Sequence, residues 1–119
     1  MVTAEVKIYH NPRCSKSRNA LAILRDNGVQ PLVIEYLKNP LNADQISSIC
    51  SKLGIKPEQL IRKGESIFKE YYSGESLSDA TSIQAMTKHP ILIERPIIVC
   101  GNKAAIGRPP ENTLLVLGA

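Results

Sequence analysis

In the run Ile8-Tyr9-His10-Asn11-Pro12-Arg13-Cys14-Ser15-Lys16-Ser17-Arg18, a single cysteine falls between an apolar segment and an amphipathic one. That is where a strand hands over to a helix. A thiol at a helix N-terminus faces backbone N–H groups without acceptors and the positive end of the macrodipole, and both stabilise a thiolate. Arg13, Lys16 and Arg18 act in the same direction. The N–H groups that stabilise a thiolate can equally cradle the oxygens of a phosphate-like anion. The pattern suits a nucleophilic sulfur and an oxyanion alike.

Spacing removes several chemistries. A thioredoxin-type dithiol would place its second cysteine at position 17, which is Ser17, so any redox cycle at Cys14 must borrow a thiol. A phosphatase loop of the Cys-x5-Arg type would need arginine at position 20, which is Ala20, and Arg18 comes too early. His10 and Cys14 have no further ligands at zinc spacing, so no metal is expected. The other cysteines read as small buried hydrophobes. Cys50 lies on the apolar face of the segment 43–53, and Cys100 closes the run Ile97-Ile98-Val99.

The elements that must position Cys14 fit one domain spanning 1–119, since 119 residues with 43% hydrophobic and 22% charged content can build one core and are short for two. A net charge of +4 favours anionic partners, yet the basic residues are scattered, so nucleic acid is not the expected ligand. Three cysteines without evident pairing, no charged-then-apolar leader and no apolar run near about 20 residues predict a reducing, cytoplasmic setting without a membrane span.

Val6-Lys7-Ile8-Tyr9 alternates as a half-buried strand, and Ala20, Leu21, Ile23 and Leu24 give Asn19 to Asn27 a helical period that Gly28 ends. Pro31 to Tyr36 reads as a second strand, parallel to the first because a helix connects them. From about 42 to 88 the texture is helical, with Asn42 and Ser78 as caps and a short turn after Pro57. Ile97-Ile98-Val99 and Ala104-Ala105-Ile106 then flank Gly101-Asn102-Lys103 as a hairpin, and Pro109-Pro110-Glu111 opens a last helix, Asn112 to Leu117. The order β-α-β, helices, β-β-α is that of an α/β thioredoxin-like fold with a mixed sheet and an all-helical insertion. Arg95-Pro96 opens the third strand, where an X-Pro bond can be cis.

Four spaced motifs carry a family resemblance: Tyr9-His10-Asn11-Pro12-x-Cys14 with Ser17-Arg18-Asn19, then Leu60-Ile61-Arg62-Lys63, then His89-Pro90-Ile91-Leu92-Ile93-x-Arg95-Pro96-Ile97, and finally Gly107-Arg108-Pro109. Over nearly its whole length the chain resembles the glutaredoxin-coupled (ArsC-type) arsenate reductases. Its end at Ala119 makes it similar to their short chromosomal branch, although Arg13 and Ser15 stand where plasmid-type members carry small residues. The resemblance implies that Cys14 is the nucleophile, that Arg62, Arg95 and Arg108 hold the oxyanion, and that His10 and Ser17 support the sulfur. It also implies glutathione as cosubstrate, glutaredoxin as the partner that regenerates the thiol, no tightly bound cofactor, and a monomer.

Arginine suits that role, because its guanidinium fork stays charged and pairs bidentately with tetrahedral oxyanions. Two other readings share the fold. Spx-type regulators bind RNA polymerase and carry Cys-x-x-Cys at this loop, a pattern that Ser17 breaks. A glutathione-dependent thiol oxidoreductase needs only one cysteine but leaves the three arginines unexplained.

Overall fold

Short branched runs make the sheet, and a computed structural model describes it within residues 5–72 and 77–117. Strands β1 (Val6–His10), β2 (Leu32–Glu35), β3 (Ile97–Cys100) and β4 (Lys103–Ile106) lie in the order β2-β1-β3-β4. The β1–β2 pair is parallel, and β3 runs antiparallel to both β1 and β4, so the sheet is mixed. A parallel pair needs a crossover, which helix α1 (Ser15–Asp26) supplies.

Alternation along β1 puts Val6, Ile8 and His10 on one face. Val6 and Ile8 join Ala20 and Leu24 of α1, Ile98, Ala105 and Val116 in one core cluster. That core holds α1 down on the sheet, and with it the strand-to-helix loop containing Cys14. Gly28 ends α1 in the left-handed region at φ 77°, and Val29 N–H donates back to Leu24 O at 2.9 Å, satisfying an end carbonyl.

The helix begins at Ser15, four residues before the apolar period that signals it, because its first turn is polar and basic. The final segment is a 3₁₀ helix, Pro110–Val116, where an α-helix from Asn112 to Leu117 was expected. Its bonds run to the third residue back, Asn112 N to Pro109 O at 3.0 Å and Leu117 N to Leu114 O at 3.1 Å. Pro109 and Pro110 offer no N–H for a longer ladder at its start. Both Arg95–Pro96 and Arg108–Pro109 are cis.

The chain divides into two units, one formed by 1–39 with 95–119 and the other by 40–94. The second unit contains α2 (Ala43–Leu53), α3 (Ser66–Tyr71) and α4 (Asp79–Lys88), with 3₁₀ turns at Pro57–Leu60 and Pro90–Leu92. Asn42 and Gln45 cap α2 reciprocally, at 2.8 and 2.9 Å, and Ser78 Oγ accepts from Thr81 N at 3.1 Å to start α4. Ile61 and Ile93 form an isolated antiparallel bridge. Residues 73–76 of the expected helical block lie outside the described residues. Among the described residues no helix is long and apolar enough to cross a membrane.

Candidate active site

Cys14 occupies the N-cap of α1 with extended backbone (φ −93°, ψ 122°), and its sulfur makes no capping bond. Arg18 N–H donates the first helical bond to Cys14 O at 3.0 Å. The amides of Ser15, Lys16 and Ser17 therefore have no acceptor within the helix. A helix start ordinarily attracts an acidic residue, as α2 has Asp44 and α4 has Asp79 in the first turn. Helix α1 has none there, and Arg13, Lys16 and Arg18 surround its start instead. The anion that this terminus favours is left to the thiolate or to a ligand.

The loop is built around Asn11, which is 7% exposed. Its Oδ1 accepts Arg13 N–H at 3.0 Å, its carbonyl accepts Cys14 N–H at 3.0 Å, and its own N–H donates to Ser17 Oγ at 3.0 Å. Ser17, completely buried, lies 2.6 Å from His10 Nδ1. With Oγ already accepting from Asn11, the hydroxyl proton points to Nδ1 when His10 is the Nε2–H tautomer. Burial lowers the pKa of His10, Glu35 opposes that shift, and Arg25 and Arg18 reinforce it, so a neutral imidazole is favoured. Arg18 closes the arrangement by donating from Nη1 to Pro12 O at 2.9 Å. His10, Ser17 and the Cys14 loop are thus one hydrogen-bonded assembly.

Arg95 and Arg108 are brought to the same end of the sheet. Ile97 pairs with Tyr9 and with Ile106, and Gly107 N–H extends the β3–β4 ladder by one bond to Pro96 O at 2.9 Å. That register puts Arg95 and Arg108 just beyond the last paired residues, where β1 leads into the cysteine loop. Arg95 Nε and Nη1 are buried and have no hydrogen-bond partner. Two desolvated donors on a permanent cation are costly unless an anion completes them. Arg108 donates its backbone N–H to Ile106 O at 2.8 Å, and its carbonyl accepts from Asn112 Nδ2 at 3.2 Å.

Arg62 belongs to the second unit and is held there by acids. Its Nη1 lies 2.9 Å from Glu65 Oε2, aligned as an ion pair without a hydrogen bond, and its Nε lies 3.9 Å from Glu94 Oε1. Its backbone N–H donates to Leu92 O at 2.7 Å beside the Ile61–Ile93 bridge. Neither acid is evident from the sequence as a partner of Arg62. Cys50 and Cys100 are buried, none of the three cysteines is in a disulfide, and burial, followed by Asp79, pushes the Cys50 thiol up.

A family model described as the ArsC family matches residues 9–115. The chain belongs to the ArsC family. Among its relatives, an Escherichia coli K12 protein, "Uncharacterized protein YfgD", is 47% identical, covering 98% of this chain and all of that one. A Haemophilus influenzae protein named arsenate reductase is 44% identical over 94% of this chain and 98% of its own length. The solved structure of an arsenate reductase from Vibrio cholerae superposes with a TM-score of 0.91 at 43% identity, covering 95% and 98% of the two chains. The ArsC match spans the cysteine loop and all three arginines. The organising role of Asn11 went unnoticed in the sequence, although Asn-Pro is a turn signal whose side chain commonly accepts the N–H two residues on.

Proposed function

We propose that this ArsC-family protein reduces arsenate to arsenite through Cys14. The observation that carries the reading is Arg95, whose two buried, unpartnered donors sit at the sheet end that leads into a cysteine at a helix N-terminus. A tetrahedral oxyanion supplies what the fork lacks and what the α1 terminus favours. Arg108 flanks the same strand end, and the family resemblance extends the oxyanion role to Arg62.

The Cys14 thiolate attacks As(V), forming an S–As bond as one oxygen leaves as water, with arsenic still pentavalent. Ser17 holds no second sulfur, so the resolving thiol is external. Glutathione supplies it: the S–As bond breaks, a Cys14–glutathione disulfide forms, and its two electrons pass to arsenic. Overall, arsenate and two thiols give arsenite, one mixed disulfide and water. Glutaredoxin then takes the glutathionyl group by thiol exchange and frees the Cys14 thiolate. The hydrogen bonds centred on Asn11 and Ser17 hold the sulfur's backbone in place meanwhile, so little reorganisation is needed as charge develops. The cycle calls for no tightly bound cofactor.

Steady-state arsenate reduction with glutathione and glutaredoxin tests the reading. Wild type should turn over and Cys14→Ser should not; equal rates for the two would refute it.

A further inference from the structure

Beside the cysteine loop, the first unit has a groove of about 430 Å³ lined by His10, Pro12, Arg18, Leu21, Arg25 and Asp26. The volume falls within the roughly 300–1,000 Å³ of small-ligand sites. His10 forms part of its wall although only 6% exposed, and with Nδ1 engaged by Ser17 its other ring nitrogen has no partner among the described residues. Arg25 and Asp26 likewise make no ion pair among the described residues. The groove therefore presents two guanidinium groups, one carboxylate and a buried imidazole edge without a described partner.

We infer that this groove holds glutathione by its charged ends, with its thiol directed toward the Pro12–Cys14 loop. Glutathione carries two carboxylates and one ammonium, the complement of two arginines and one aspartate. Arg25 with Asp26 matches the paired carboxylate and ammonium of the γ-glutamyl end, and Arg18 matches the remaining carboxylate nearer the loop. Leu21 offers apolar surface to the backbone between them. Arg18 also donates to Pro12 O, so the ligand's anchor and the cysteine loop share a residue. The assignment rests on glutathione being the cosubstrate and adds where it binds.

S-methylglutathione, which cannot exchange, is the probe. Titrated into wild type, it should move the amide resonances of Arg18, Leu21, Arg25 and Asp26, and Arg25→Glu and Asp26→Lys should each weaken binding about tenfold. In arsenate reduction the same variants should raise the KM for glutathione by that factor. For Asp26→Lys the rate with 2-mercaptoethanol, which has no carboxylate, should not change. Shifts confined to other residues, or both variants binding as wild type, would overturn the assignment. Binding in the groove without arsenate turnover by either thiol would sustain it while refuting the reductase reading.

Discussion

Replacing Arg95 by Met retains much of the apolar stem and removes the guanidinium. Without ligand, Nε and Nη1 are buried and unpartnered, and an unsatisfied buried donor costs about 1–3 kcal/mol. Two donors set a ceiling of about 2–6 kcal/mol for the strain relieved. Partial exposure of the residue and lost contacts of its stem reduce this. Unliganded Arg95→Met should therefore be as stable as wild type or more so, by up to about 2 kcal/mol. Oxyanion binding should move the other way. Two charge-assisted hydrogen bonds at about 1.5–3 kcal/mol each amount to at least about 3 kcal/mol, more than a hundredfold in Kd. Urea unfolding followed by circular dichroism gives the first quantity and arsenate calorimetry the second. A variant that binds arsenate like wild type, or that loses more than about 2 kcal/mol without ligand, would refute the reasoning.

Ser17→Ala removes the acceptor of the Asn11 N–H and the partner of His10 Nδ1, and should cost about 2–4 kcal/mol in urea unfolding; a loss within experimental error would mean that the loop is held by other contacts. Gly107→Ala places a Cβ 2.8 Å from Pro96 Cγ, 3.2 Å from Thr113 Oγ1 and 3.3 Å from Ala20 Cβ, so it should destabilise by about 1–3 kcal/mol, read as a lower Tm. His10 has a lowered pKa, chiefly through burial, so the unfolded chain takes up its proton first. Its share of stability is intact above about pH 6.5 and is lost as pH falls through the lower folded value. Unfolding free energies of wild type and His10→Asn should therefore diverge in slope below that pH, and parallel curves would contradict the shift.

Much of the sheet was legible because branched residues cluster at Val6–Tyr9, Leu32–Ile34 and Ile97–Val99, and a helical period between the first two runs forces a parallel pair. The start of α1 was not, since Ser15, Lys16, Ser17 and Arg18 carry no apolar signal. Ser17 is nonetheless completely buried, held by hydrogen bonds that periodicity does not register. Helix α3 was legible only as part of the helical block 42–88 and not as an element of its own, because it is six residues long, has no side-chain cap, and Phe68 is its one buried residue. Cys14 stood out by its charged neighbours. The roles of Arg62, Arg95 and Arg108 came from motif resemblance, because isolated arginines carry no local signature. The burial of Arg95 Nε and Nη1 depends on packing that sequence spacing does not reveal.

The most direct test of the central claim is the intact mass of the protein after incubation with arsenate and glutathione in the absence of glutaredoxin. The account predicts one glutathionyl group per chain, mapped by peptide analysis to Cys14, formed in proportion to arsenite released and absent from Cys14→Ser. Arsenite released without that adduct, or an adduct on Cys50 or Cys100, would contradict it.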